Sequence, residues 1–168
     1  MAGNRIIFVR RQCVENKILT IEGYQVIISP QDYKRVSALK WFSNRHREPK
    51  IYFKNGTLLN GKYKGIYLHR FILDAPTGIQ VDHRDGDTLN CTRENLRLCT
   101  HSQNMQNRKK LDHKNYKGTW YEKGIKKWRS RIVYNGKTVN LGCYRTEEAA
   151  HAAYMEAARK YHGEFAHG

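Results

Sequence analysis

The chain has 168 residues, and 31 Lys and Arg against 15 Asp and Glu give it a formal charge of +16. That length suits one ordinary domain or two small ones, and so large an excess repels itself in a folded chain, which calls for a polyanionic partner, above all nucleic acid. A low mean hydropathy and the lack of any long apolar run exclude a transmembrane helix. A cytoplasmic protein without a membrane partner is the expectation.

Three regions separate by pattern. Residues 1–78 mix short apolar alternations with turns. The patch from Met1 to Arg11 is too short for a signal-peptide core, and Ile6–Val9 inside it reads as a strand. Tyr24–Ile28 is a second strand, stopped by Ser29-Pro30, and Asp32–Leu39 is a short helix with Tyr33, Val36 and Leu39 on one face. Trp41-Phe42 and Lys50–Lys54 read as further strands, the latter closed by the turn dipeptide Asn55-Gly56. Tyr63–Leu68 leads into a short helix, His69–Leu73, ended before Pro76-Thr77-Gly78.

Residues 79–108 change character. Ile79–His83 is a strand, Asp85-Gly86-Asp87 a turn and Leu96–Cys99 a second strand. Thr100 then caps a polar helix running through Asn104 to Arg108. Residues 109–115 form a short charged linker that keeps the last region close.

In residues 116–168, Tyr116–Tyr121 and Lys127–Tyr134 are strand-like, and Asn135-Gly136 is the strongest hairpin signal in the chain. Lys137–Gly142 returns as a third strand. Thr146 caps a helix whose first turn carries Glu147 and Glu148, where carboxylates suit the dipole. Its apolar stripe is Ala150, Ala153, Tyr154, Ala157, Ala158 and Tyr161, small enough to lie close against a sheet. The four cysteines, Cys13, Cys91, Cys99 and Cys143, show no closely spaced pair, so reduced thiols are expected, with Cys91 and Cys99 packed around the second region. No structural zinc is expected.

The second region holds an acid, a base and two amide side chains in one window: Asp82-His83, Asn95-Leu96-Arg97, then Asn104. In this order and spacing it resembles the HNH nucleases, in the branch of phage and intron-encoded homing endonucleases where Asn replaces the last histidine. The resemblance implies an α+β fold with a ββα-metal finger, preceded here by a small β-rich region. His83 would be the general base, as a neutral imidazole accepts a proton near neutrality. Asp82 and Asn104 would hold one hard divalent ion, Mg²⁺ or Mn²⁺, and Asn95 would orient the loop. Arg70, Arg97 and His69 stand as phosphate-contacting or supporting groups, whereas Asp85 and Asp87 read as turn residues.

The third region is similar to the three-stranded DNA-binding domain of plant ethylene-response factors. The landmarks are Tyr116-Lys117-Gly118, Lys127-Trp128, Leu141-Gly142, Tyr144, Thr146, Ala149-Ala150 and Gly163. That implies a three-stranded antiparallel sheet packed on one helix. Alternation along its second strand turns Trp128, Ser130 and Ile132 towards the helix and Lys127, Arg129 and Arg131 outwards. Trp120, Lys137, Thr138 and Asn140 join the outer set, a surface that fits the major groove of double-stranded DNA. Arg45, Arg47, Lys50, Lys54, Lys62 and Lys64 would add a backbone-tracking face upstream.

Together these readings point to a metal-dependent, site-preferring DNA endonuclease of the phage homing type, working as a monomer. The alternative is a non-catalytic DNA-binding regulator using the finger as a scaffold. An RNA-binding protein fits less well, as no RNA-recognition signature is present.

Overall fold

The structure is a computed structural model that describes residues 15–47, 50–59, 62–107 and 116–166. The strand expected at Ile6–Val9, Cys13, Arg108 and the linker at 109–115 lie outside these residues. Strands β1 (Lys17–Ile21) and β2 (Tyr24–Ile28) form a hairpin. Its two-residue turn, Glu22-Gly23, has both residues at positive φ, 47° and 86°, the conformation whose twist matches the flanking strands. Helix α1 (Pro30–Ser37) starts two residues before its expected position. The fixed φ of Pro30 suits a first helical turn, where no N–H is needed.

Strands β3 (Phe42–Arg47), β4 (Lys50–Leu59) and β5 (Lys62–Tyr67) form an antiparallel meander. Here one expectation fails. Asn55-Gly56 is no turn but the middle of β4, opposite Ile66 and Gly65 of β5. Asn55 is fixed there by its Nδ2, which donates to the Lys40 carbonyl at 2.8 Å. Tertiary pairing has overridden a local turn preference. Helix α2 (Leu68–Ile72) follows directly.

The motif region gives β6 (Gln80–His83), β7 (Asn90–Cys91), β8 (Leu96–Cys99) and helix α3 (His101–Asn107). β6 and β8 pair antiparallel, with Asp82 opposite Arg97 and His83 opposite Leu96. α3 is capped as its sequence suggests, Thr100 Oγ accepting from the Gln103 amide at 3.3 Å. The short β7 runs parallel to β2, extending the first hairpin into a three-stranded sheet. A single core therefore joins Ile21, Val26, Ile28, Val36 and Phe53 to Val81, Cys91 and Leu96. Residue 78 divides the chain by sequence pattern, not by packing.

In the last region β9 (Thr119–Glu122), β10 (Lys127–Tyr134) and β11 (Lys137–Tyr144) form an antiparallel sheet with β10 in the centre. Tyr116–Gly118, expected as strand, instead forms the turn before β9. Asn135 and Gly136 sit at φ 49° and 73°, the two-residue hairpin turn their sequence predicts. Helix α4 (Glu147–His162) is capped by Thr146, which accepts from the Ala149 amide at 3.2 Å. Tyr154, Ala157 and Ala158 are buried against Ile132, with Val139 and Leu141 beside them, and Ala150 is buried as well. A three-residue 3-10 turn, Gly163–Phe165, brings the chain back to the motif region. No helix of the described residues is long and apolar enough to cross a membrane.

Candidate active site

Asp82 and His83 end β6 and are 7% and 6% exposed. Successive strand residues point to opposite faces, so the two reach different neighbours. Asp82 faces Arg97 and α3. Its Oδ2 accepts from Arg97 Nε at 2.8 Å, with Nη2 2.7 Å away but off the line of a hydrogen bond. Its Oδ1 accepts from Asn107 Nδ2 at 3.0 Å, and the same amide group donates to the His83 carbonyl at 2.9 Å.

His83 faces the meander. Its ring meets His69 edge-on at 5.4 Å between centroids and lies 6.3 Å from Tyr52, while its Nε2 is 3.8 Å from Cys91 Sγ. Burial pushes its pKa down to about 4, against the upward pull of Asp85 and Asp82. His69 is pushed to about 3, by burial first and then by the neighbouring His83 and Arg70 charges. His69 is stacked on Tyr67 at 5.6 Å and meets Tyr52 edge-on at 5.5 Å. Two neutral imidazoles thus sit side by side beneath the meander.

Asn95 ties the loop between the strands to itself. Its Nδ2 donates to Asp85 Oδ1 at 2.9 Å and to the Asn90 carbonyl at 2.7 Å, and its Oδ1 accepts from the Asp85 amide at 3.1 Å. Asp85 also accepts from the Asp87 amide at 2.8 Å and from Asn90 Nδ2 at 2.8 Å. It is a hub of the loop that holds His83, beyond the turn role its sequence suggests. These donors pull its carboxyl pKa below the usual range, although burial, the largest influence, pushes the other way.

Asn104 stands elsewhere. Its Nδ2 donates to Gln80 Oε1 at 2.8 Å, so the structure brings Asn107, one helical turn on, to Asp82 in its place. Arg97 and Arg70 do not reach outwards. Arg97 is 6% exposed and spent on Asp82 and the Glu164 carbonyl. Arg70 staples the turn after α2, donating to the carbonyls of Ala75, Pro76 and Ile79.

Sequence reasoning missed a second layer. Asp32 of α1, 2% exposed, accepts from Arg35 at 3.0 Å and from Arg93 at 2.6 and 2.8 Å. Arg93 also donates to the Ile72 carbonyl at 2.7 Å, and its amide donates to Ser29 Oγ at 2.8 Å. The turn that presents Asn95 is thereby anchored to the N-terminal helix. Sixty-one residues separate Asp32 from Arg93, and only the hydrophobic face of α1 hinted that it packs inward.

On the third sheet, strand alternation and pairing put Lys127, Arg129, Arg131, Trp120, Thr138 and Asn140 on one face, while Lys137 pairs with Tyr134 beside the hairpin turn and falls off it. Cross-strand pairs align Lys127 with Glu122, Arg129 with Trp120, Arg131 with Asn140 and Val133 with Thr138. The Arg131 guanidinium lies over the Trp120 ring at 5.0 Å. Lys127, Arg131, Lys137, Thr138 and Asn140 are exposed, whereas Trp120 and Arg129 are half-buried. Ser130 and Ile132 face α4 and are buried.

The HNH endonuclease family profile matches residues 67–106, from the end of β5 into α3. A protein of Acanthamoeba polyphaga mimivirus described as an uncharacterized HNH endonuclease is 32% identical over 156 residues, covering 86% of this chain and 74% of its own. The chain belongs to the HNH endonuclease family. It is a hydrolase that cleaves DNA. Protein 3.8 of Escherichia phage T7 is 33% identical over 93 residues, 54% of this chain and 76% of its own. No solved structure matches. The HNH window contains Asp82, His83, Asn95 and Asn104, and also Arg70, Arg93 and Arg97. His69, Tyr67 and the α2 turn fall inside it too, so the paired imidazoles belong to the matched segment.

The donor chemistry suits a hard divalent ion. Each Asp82 oxygen holds one protein donor and keeps a lone pair. Asn104 and Asn107 on the adjoining helix carry amide oxygens of the right type, although Asn107 presents its Nδ2 to Asp82 and Asn104 presents its Nδ2 to Gln80. The described residues contain no group of three or more His, Cys, Asp or Glu placed to hold a metal. One carboxylate would carry the protein's charge at such a site.

Proposed function

We propose that this HNH enzyme is a site-preferring, metal-dependent endonuclease of the homing type, hydrolysing one phosphodiester bond at a time in duplex DNA. The observation that carries the reading is the split at the end of β6. Asp82 turns to Arg97 and α3, while His83 turns to the opposite side beside His69. An acid and a base held back to back on one strand can serve an ion and an attacking water separately.

His83 takes a proton from the water that attacks phosphorus. Its strand is fixed from both sides: Asn95 and Asp85 hold the loop that follows, and Asn107 holds the His83 carbonyl. Asp82 would hold a divalent ion together with an amide oxygen of α3, that of Asn104 on the motif's spacing, or that of Asn107 after its amide, which now donates its Nδ2 to Asp82, turns over. When bound, Mg²⁺ or Mn²⁺ stabilises the charge that builds on the leaving oxygen. Burial of Asp82 with Arg97 keeps the carboxylate in one orientation before any ion arrives.

Target recognition belongs to the C-terminal unit, an ethylene-response-factor-like domain in this reading. Its support is the three-stranded sheet on an alanine-rich helix, with Trp120, Lys127, Arg129, Arg131, Thr138 and Asn140 on the outward face and Lys137 at the turn. Arginine and asparagine on such a ribbon match guanine and adenine edges in a major groove. Lys50 and Lys54 on β4 carry positive charge on the meander beside His83, where a backbone phosphate would pass. One catalytic motif per chain makes a nick the simpler product for a monomer.

The test is supercoiled plasmid incubated with Mg²⁺ or Mn²⁺, with EDTA and His83→Ala in parallel. Conversion to open circle that disappears in both controls, with DNA binding kept by His83→Ala, is the expected result. Cleavage undiminished in His83→Ala removes the assignment. Binding without cleavage under every metal, on DNA carrying the bound sequence, favours a regulator.

A further inference from the structure

Arg97 is a guanidinium buried to 6% exposure inside a protein of very high positive charge. Burying such a group is unfavourable unless its donors and its faces are matched. Asp82 matches only one edge. The other partners come from the far end of the chain: Nη1 donates to the Glu164 carbonyl at 2.6 Å, and the Phe165 ring covers the guanidinium at 3.7 Å from centroid to Cζ. Phe165 is itself 5% exposed. The Glu164 carboxylate adds an outer pair with Arg84, the residue after His83, and lies 3.5 Å from Arg97 Nη1. Edge, one end and one face of the guanidinium are thus held, while Nη2 is buried in ion-pair contact with Asp82 but without a hydrogen bond. Two of these three contacts are made by the turn that follows the helix of the proposed DNA-binding unit.

We infer that Phe165 is a positioning residue of the nuclease site, setting the Asp82 carboxylate through the Arg97 guanidinium it covers. The inference rests on the proposed role of Asp82 in holding the ion. Without the ring, one face of the Arg97 guanidinium is open and only Asp82 and the Glu164 carbonyl hold it, so more rotamers become accessible and Asn107 is left as the better fixed donor to Asp82. With it, the carboxylate is held by two donors of fixed direction, as outer partners of metal ligands commonly do. The C-terminal turn therefore completes the support of a carboxylate whose two donors, Arg97 of β8 and Asn107 of α3, come from the motif region. This gives the contact between the two units a catalytic consequence: the segment that follows the DNA-binding helix supplies the last support of the ion's carboxylate.

Phe165→Leu keeps the apolar volume and removes the aromatic face. Its first readout needs neither metal nor activity: the Arg97 Nε–H resonance in a ¹H–¹⁵N spectrum, assigned by its loss in Arg97→Lys. The parent should show it sharp and slow to exchange, and Phe165→Leu should broaden it and speed its exchange. The second readout is the Mg²⁺ concentration for half-maximal plasmid nicking, expected to rise about tenfold, the order seen for outer partners of metal ligands. DNA affinity in EDTA should not change, and Phe165→Trp should restore both readouts. If the leucine variant does not fold by circular dichroism, Phe165→Met is read in the same way. An unaltered Arg97 signal with an unaltered Mg²⁺ requirement overturns the inference. So does a loss of DNA affinity in EDTA as large as the loss of nicking, which would make Phe165 a packing residue only. Asp82→Asn separates the two layers: nicking with the parental Mg²⁺ requirement there removes the ion-holding role, while the Arg97 signal still decides whether Phe165 positions the pair.

Discussion

Asp82 and Arg97 face each other across two paired strands with almost no exposed surface between them. Removing one member of such a pair leaves the other charge buried and unmatched, which costs about 3–5 kcal/mol. Asp82→Ala should therefore lose stability as well as activity, with a lower midpoint in urea denaturation. A variant as stable as the parent would mean that Arg97 finds solvent when its partner leaves. Cysteine chemistry is also decided residue by residue. Burial pushes the Cys91 thiol up to about 12 and that of Cys99 up to about 11, whereas Cys143 is exposed. Only a thiolate attacks an alkylating reagent. Iodoacetamide at about pH 8 should modify Cys143 and spare Cys91 and Cys99 until denaturant is added, as peptide mass mapping would read. Fast labelling of Cys91 in the native protein would show that the space beside His83 is open. At this scale the motif was legible: Asp82, His83 and Asn95 do meet in one loop and its flanking strands. Asn107 was not, because adjacent turns of one helix offer two asparagines and only packing selects which one meets Asp82.

Elements formed where local chemistry and tertiary packing agree. Asn135-Gly136 turns a hairpin and Thr146 caps α4 because the flanking strands and helix also bury apolar faces. Asn55-Gly56 carries the same local signal, yet it is threaded into β4 between β3 and β5. Backbone pairing with β5, with the Asn55 side chain held by the Lys40 carbonyl on the other side, outweighs the local turn preference. Gly118 shows the opposite constraint. It has φ 78°, and a Cβ there would meet the Tyr154 ring at 2.0 Å. Gly118→Ala combines a left-handed backbone with a forced shift of a buried ring, and should cost about 2 kcal/mol or more. The melting temperature should fall by several degrees. An unchanged melting temperature would mean that Tyr154 is free to turn away from the first strand.

Across the whole molecule, three contacts tie regions that sequence pattern separates. β2 pairs with β7, Asp32 grips Arg93, and the turn at Glu164–Phe165 closes on Arg97. A fourth is Lys117, whose Nζ donates to the Gln106 carbonyl near the end of α3 at 2.6 Å. Burial pushes its pKa from 10.5 down to about 8. The sign follows from linkage. Below about pH 8 the ammonium is charged in both folded and unfolded chains, and its desolvation penalty is fully present. Between about 8 and 10.5 the folded chain has released the proton and the unfolded chain has not, so this group's contribution to stability rises with pH. The stability gap between Lys117→Met and the parent should shrink as pH rises from about 7 to about 10. A gap that widens would show that the Gln106 hydrogen bond, not desolvation, dominates at this position.

What the sequence determined by itself is what short-range chemistry can encode. It set the acid–base pair, the spacing of the asparagines, the hairpins and caps, and the alternation that turns one basic face outwards on the third sheet. These depend on neighbours a few residues away or on a period of two or three to four. What only the tertiary structure decided are the partners: Asn107 for Asp82, Asp32 for Arg93, Phe165 for Arg97, and inward instead of outward use of Arg70 and Arg97. A charged side chain has the same identity whether it meets a phosphate or a buried carboxylate. The choice is made by which backbone the rest of the chain brings within about 3 Å, where direction and desolvation decide the energy.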